Sequence, residues 1–425
     1  MNKAPMPPPQ KKSPIVPALI FGVLVIVAAI GYKRFKSSPQ VPPSAPPPAA
    51  DTTGSLPAPR PAAQAAEPPR EAGPSVESPA PMPAVSPPPN PLPEAAPADP
   101  KDLISTLTAL TGREPVTPEQ ARNWKESLQQ LIRQGAGSVP AIQQFLAQNL
   151  DANFAGVSGA GSLGYNSLRS AMLDALAQIG GPESTQAMLQ TLQTSIFPTD
   201  IAALARTLDA QAPGQYQQAI LDAVRQQLNM AGLDQLGGAN VLSLFQVLAS
   251  QAANGANINA DLAQYAEKWP YYSAIALATL PDAAGVPSLI QLAQGTVPGN
   301  QAAAAQALAE LAPQNTDALN SLLNLAKSGQ LSDAILSQLA PFLGGRQYQL
   351  GPPQDLAAGG YLTFHMASGN EDFSAFDAGG TLTQSQISQR ISIIDQLLQA
   401  IPATDSAAQD ALQQQRNALA GRRKP

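Results

Sequence analysis

Glu371, Asp372 and Asp377 stand within seven residues of one another. Two carboxyls roughly 5 to 10 Å apart can hydrolyse a glycoside, one as acid and the other as base or nucleophile. Clustered hard oxygen atoms also suit calcium, but the spacing of an EF-hand loop is absent. The competing reading is a solvated acidic loop within residues 368–380. His365 is the one histidine in the chain. A histidine metal cluster or a Ser-His-Asp triad would need partners around it, and none can be placed. A partly buried position on a short strand is expected instead. Gly159, Gly161 and Gly164 fit G-x-G-x-x-G. A dinucleotide site needs a preceding strand and a βαβ unit. Here a helix and an Asn/Gly-containing segment precede the glycines, so they read as a connecting loop. The chain has no cysteine, which removes disulfides, thiolate nucleophiles and cysteine metal sites. No residue set earns a catalytic, cofactor-binding or metal-ligating role, and a non-enzymatic protein without cofactors is expected.

Trp124, Trp269, Tyr271 and Tyr272 could anchor an interface. On repeat helices such side chains more often fill the core, and core is the expectation. Arg422, Arg423 and Lys424 form a basic tail too short to imply a membrane or nucleic-acid role.

The elements that would position these residues are unevenly spread. Half of the 44 prolines lie between Lys36 and Lys101, a stretch that cannot build a core. Charged residues make up 13% of the chain, against about 25% in ordinary globular proteins. Residues 1–36 carry +6, the proline-rich segment −4 and the remainder −8. A net-negative foldable region argues against nucleic-acid binding, which needs a positive face.

Residues 15–32 read IVPALIFGVLVIVAAIGY, uncharged and about 27 Å long as a helix. Basic residues flank both ends. This is expected to be a transmembrane helix behind a short basic flank (1–14), with a cleaved signal peptide as the rival. The flanking charges nearly balance, so composition alone favours an exported domain with the N-terminus inside. Residues 33–100 are expected to be a disordered Pro/Ala-rich linker, stretching to at most about 200 Å. It serves as a spacer or as a docking strip for proline-binding modules.

From Asp102 onward apolar residues recur at three and four, the helical period. Thr117-Pro118-Glu119-Gln120 is a helix start, with a Thr cap, Pro in the first turn and Gln three after the cap. A phrase then recurs. Leu176-Ala-Gln-Ile-Gly-Gly-Pro leads into a helix ending Met188-Leu-Gln-Thr-Leu. Leu277-Ala-Thr-Leu-Pro leads into Val286-Pro287-Ser-Leu-Ile-Gln-Leu, and Leu308 and Leu131 open similar copies. With weaker copies at Leu204 and Leu248, starts are separated by 45, 28, 44, 29 and 31 residues, the range of helix-pair repeats. The segments Leu168–Leu192 and Ala274–Ala293 resemble HEAT repeats of the armadillo-like superfamily, with a small-residue first helix, a Gly or Pro turn and a Val-Pro-x-Leu/Ile opening. The likeness covers residues 121–343 and is thinnest at 211–269. It implies an all-α solenoid of about six helix pairs over 101–345, with a groove that binds a protein segment. The charged ladder often seen along inner helices of the family is missing here.

Residues 346–425 form an extension. Tyr361-Leu-Thr-Phe-His-Met could be a short strand. Ile387, Ile391, Ile394, Leu398 and Ile401 recur at three and four, and a second helix follows Pro402. Together they make a helical hairpin, either capping the last repeat or joining two copies in a homo-oligomer. The expected function is a membrane-anchored scaffold or adaptor binding a protein partner. A carboxylate-dependent envelope hydrolase and a structural link between membrane and cell wall are the alternatives.

Overall fold

The computed structural model describes residues 98–351, 361–366, 370–377 and 382–423. The expected transmembrane helix, its basic flank and all but the last three residues of the linker lie outside these. No helix among the described residues is long and apolar enough to cross a membrane.

Sixteen helices run through the described residues. They are α1 (Pro100–Thr108), α2 (Pro118–Arg133), α3 (Val139–Ala147), α4 (Leu168–Ile179), α5 (Gly181–Thr194), α6 (Pro198–Gln211), α7 (Gln217–Gly232) and α8 (Leu242–Ala253). They continue as α9 (Asn259–Tyr265), α10 (Pro270–Ala278), α11 (Val286–Gln294), α12 (Pro298–Leu311), α13 (Thr316–Lys327) and α14 (Asp333–Leu343). After three strands come α15 (Gln384–Ala400) and α16 (Ser406–Ala420).

Local chemistry explains where many of them begin. Proline occupies the first turn of α1, α2, α3, α5, α6, α10, α11 and α12, where no donor is lost and φ is already helical. Thr117 and Gln120 form the expected capping box at α2, and Thr383 and Gln386 repeat it at α15.

Packing follows a simple rule. Most helices pack closely on their sequence neighbour, the exceptions being α2–α3, α8–α9 and α13–α14, and nearly every helix also packs on its second neighbour. Odd-numbered and even-numbered helices therefore fall into two rows. The step from α7 to α9 has the least backbone contact, and the Arg225–Asp261 ion pair at 2.8 Å spans it. This step lies in the stretch where the repeat pattern is thinnest. The six starts at Leu131, Leu176, Leu204, Leu248, Leu277 and Leu308 fall on α2, α4, α6, α8, α10 and α12, successive members of the even row. Fourteen of the sixteen helices precede the first strand.

The described residues are mostly helical, but the C-terminal extension departs from the all-α expectation. Strands β1 (Arg346–Leu350), β2 (Tyr361–Met366) and β3 (Glu371–Asp377) form an antiparallel sheet in the order β1-β3-β2. Tyr361–Met366 is the expected strand. Residues 371–377, read as part of a loop, are instead the central strand. The helix-facing residues Glu371, Phe373 and Ala375 alternate with Asp372, Ser374 and Phe376, and a carboxyl among the inward residues hides the apolar period.

The sheet lies on the even row. β1 packs against α8, α10, α12 and α14, and β3 against α10. Tyr271, Phe342, Tyr348, Phe364 and Phe373 fill the seam, with Phe373 stacked 4.9 Å from Tyr271 and 5.5 Å from Phe364. This cover explains why Ala303 to Ala309 of α12 are buried without interruption and why that helix is so rich in alanine. Small side chains let it sit between neighbouring helices and beneath a strand.

Candidate functional site

The carboxyls with candidate chemistry do not converge. Glu371 is wholly buried and faces α10, where its Oε1 accepts the Tyr272 amide hydrogen at 2.6 Å. Asp372, the next residue on the strand, projects to the opposite face and pairs with His365 Nδ1. Asp377 is six residues beyond Glu371, roughly 20 Å on an extended strand. The facing geometry of a glycosidase pair is absent from this trio. His365 is on a strand, as expected, but exposed, because it sits on the outer face of β2 at the sheet's edge. Among the described residues no group of His, Asp and Glu could hold a metal ion.

Gly159, Gly161 and Gly164 lie in the connection between α3 and α4, which holds a single short turn of helix at Ala160–Leu163. Gly159 has φ of 78°, and a Cβ there would sit 2.1 Å from the Val116 carbonyl oxygen. Close backbone packing accounts for that glycine. Trp124, Trp269, Tyr271 and Tyr272 are all buried, as expected of core residues. Of the expected seam, Ile387, Ile391, Ile394 and Ile401 are buried within the chain and Leu398 is part-buried, while the adjacent Leu397 is buried instead.

What the molecule does present is an unusual helical face. Exposed positions on the odd row carry primary amides: Gln144 on α3, Gln190 on α5, Gln226 on α7, Gln264 on α9, Gln291 on α11, Asn324 on α13 and Gln396 on α15. Helices α3 and α11 contain no charged residue at all. The mid-helix charges that do occur are matched: Arg225 lies between Asp222 and Asp261, and Arg416 of α16 holds Asp395. Neighbouring amides can also pair with each other, as Gln143 Nε2 does by donating to Gln190 Oε1.

A pocket of about 250 Å³ interrupts this face between α9, α11 and the start of α12. Ala263, Leu292 and Val297 supply apolar walls, and Gln291 and Asn300 supply amides. Asn300 Oδ1 is buried and finds no hydrogen-bond partner among the described residues. The lining contains no titratable group, so the pocket offers shape and hydrogen bonds without acid-base chemistry.

Sequence reasoning missed the groups that fix the rows. Arg169 of α4 is buried against Asp200 of α6, with Nε and Nη2 at 2.8 and 2.6 Å from Oδ2. Its Nη1 donates to the Leu146 and Leu150 carbonyls at the end of α3. The guanidinium also lies 4.6 Å from the Phe197 ring centroid. Arg390 of α15 acts similarly on α14, donating to the Phe342 and Leu343 carbonyls at 3.0 Å each. Both arginines add donors to carbonyls at or just beyond a helix C-terminus, where intrahelical donors run out.

No family model matches this chain, and no curated protein matches it. One chain from the work "Computational Design of Self-Assembling Cyclic Protein Homooligomers" is 13% identical over 76% of this chain and 92% of its own, with a TM-score of 0.11. A likeness at that score carries no argument about fold or function.

Proposed function

We propose that this chain is a membrane-anchored, non-enzymatic scaffold whose HEAT-like helical repeats bind a protein segment along the odd row. The observation that carries this reading is the nearly uncharged run of exposed amides on that row, from α3 to α15. A primary amide donates two hydrogen bonds and accepts others, so a line of them complements polypeptide backbone whatever its side chains. The pocket beside Gln291 offers room for one apolar side chain of that segment, and Asn300 Oδ1 offers an acceptor for an adjacent N–H. The succession of second-neighbour contacts supports a stacked repeat array, in which no helix pair can bury its apolar side alone. The net negative charge of the region favours a protein over a nucleic acid as the partner.

The uncharged stretch at residues 15–32 supports the anchor, and the proline-rich linker would hold the repeats clear of the bilayer. We place the repeats on the exported side. The absence of cysteine makes a single experiment informative on both points. One cysteine is introduced into the full chain at Gln264 on the odd row, or at Ser250 on the even row. In intact cells with a permeabilised outer layer, a membrane-impermeant maleimide is expected to label both. A benzophenone-maleimide at the same positions is expected to crosslink a discrete protein from residue 264 and none from residue 250. Labelling only after the inner membrane is breached would overturn the exported side. Crosslinks of equal yield from both rows would overturn the assigned face.

A further inference from the structure

The seam between the sheet and the even row holds two carboxyls in opposite roles. Glu371 belongs to the sheet and accepts the Tyr272 amide hydrogen in the first turn of α10. Glu310 belongs to α12 and accepts the Tyr348 amide hydrogen of β1 at 3.1 Å. Each group thus ties one side of the seam to the other. Glu371 forms no ion pair, and its Oε2 is buried without a hydrogen-bond partner among the described residues. Its titratable surroundings are the phenols of Tyr271 and Tyr272 on α10 and the carboxyl of Asp372 on its own strand, already paired to His365 of β2. Glu310 feels Arg390 of α15 and the phenol of Tyr348, with Arg346 near that phenol. Arg390 already gives its Nη1 to two carbonyls of α14. Arg390 therefore offsets charge at Glu310 only, and among the described residues no cation acts on Glu371.

We propose that the three-stranded sheet is a pH-operated cover on α10, α12 and α14, seated while Glu310 and Glu371 are protonated and loosened when both ionise. As neutral acids they keep their amide hydrogen bonds and place no charge in the seam. Ionised, they put two carboxylates into an aromatic interface, where an uncompensated charge is costly. Loosening uncovers Tyr271, Phe342 and the alanine surface of α12, while the rows beneath keep their own contacts.

The direction and window follow from the surroundings. Burial raises Glu371 to about 8, against the opposing pull of the Tyr272 and Tyr271 amides. Burial likewise raises Glu310 to about 7, opposed by the Tyr348 amide and Arg390. Both acids bind protons more tightly in the seated state than in the free one. Seating is strongest below the ordinary glutamate range, weakens as pH rises above it, and has lost this contribution once pH passes 8.

Hydrogen exchange on the full chain, corrected for the intrinsic pH dependence of exchange, tests this. Between pH 6 and pH 9 the protection of residues 346–350 and 371–377 is expected to fall about tenfold or more relative to α4. In the Glu310→Gln/Glu371→Gln variant the ratio is expected to stay level, because glutamine keeps the acceptor oxygen and cannot ionise. A wild-type ratio that does not change with pH overturns the proposal, as does an equal loss across strands and helices. An unchanged pH response in the double variant also overturns it. Should that variant fail to fold, Glu310→Gln alone is read, with a smaller pH response expected and an unaltered one contradicting the cover.

Discussion

Arg169→Met is expected to cost on the order of 3 to 5 kcal/mol of folding stability. The side chain is nearly devoid of solvent contact and satisfies three partners at once. These are the Asp200 carboxylate and the carbonyl oxygens of Leu146 and Leu150. Methionine fills similar space but donates nothing. Asp200 would be left buried with the Ser195 hydroxyl at 2.7 Å as its remaining side-chain donor. An uncompensated buried charge is more damaging than the intact pair is stabilising, so Arg169→Met/Asp200→Leu should recover much of the loss. Arg225→Met is the control. Its ion pairs with Asp222 and Asp261 are partly exposed, and their loss should cost no more than about 1 kcal/mol. Urea midpoints followed by far-ultraviolet circular dichroism measure all three. Equal midpoints for Arg169→Met and Arg225→Met would mean the buried cluster does not hold the rows.

Removing α15 and α16 is expected to destabilise the chain even more. Ile387, Ile391, Ile394 and Leu397 are buried, and α15 packs on α13 and α14 while α16 lies along α14. A fully buried side chain of this size contributes about 1.5 to 3 kcal/mol, an upper bound because unfolded chains already hide some surface. Even half of that for these four gives a loss of several kcal/mol, before the carbonyls of Phe342 and Leu343 lose Arg390. A chain ending at residue 381 should expose the apolar sides of α13 and α14 and aggregate, or melt first in α13 and α14. Hydrogen exchange should show protection lost from that end while α4 and α5 keep theirs. A truncated chain that stays soluble, with α13 and α14 as protected as before, would show that the hairpin is not a cap.

Much of the helical part was readable from residue order, for a physical reason. Pro118, Pro182, Pro198, Pro270, Pro287 and Pro298 mark first turns because a helix tolerates proline there and rarely elsewhere. The recurring leucines fall on successive even helices because each pair must hide the same stripe. The isoleucine series on α15 pointed to a buried seam, but period alone could not say whether this chain or a second copy fills it.

The sheet was mostly hidden. β1 reads Arg-Gln-Tyr-Gln-Leu, with too few apolar residues to announce a strand. β3 carries Glu371 at a fully buried position, the opposite of what strand patterning predicts. The Arg169–Asp200 pair is separated by 31 residues, and nothing local to either residue marks the other. The amide face was present in the composition as a surplus of glutamine and asparagine. Its recurrence on successive odd helices emerges only when the helices are assigned to rows, and exposed amides also stand on even helices, as at Gln129, Gln178 and Gln413.

The central claim is that the uncharged amide face of the odd row is what a protein partner touches. Gln190, Gln264 and Gln291, on α5, α9 and α11, are replaced together by glutamate in the full chain, and capture of the protein that crosslinks at residue 264 is quantified against the parent. The account predicts at least about a tenfold loss of capture, since three carboxylates remove donors and add charge, with the thermal midpoint unchanged to within a few degrees. Undiminished capture by the folded variant would contradict it.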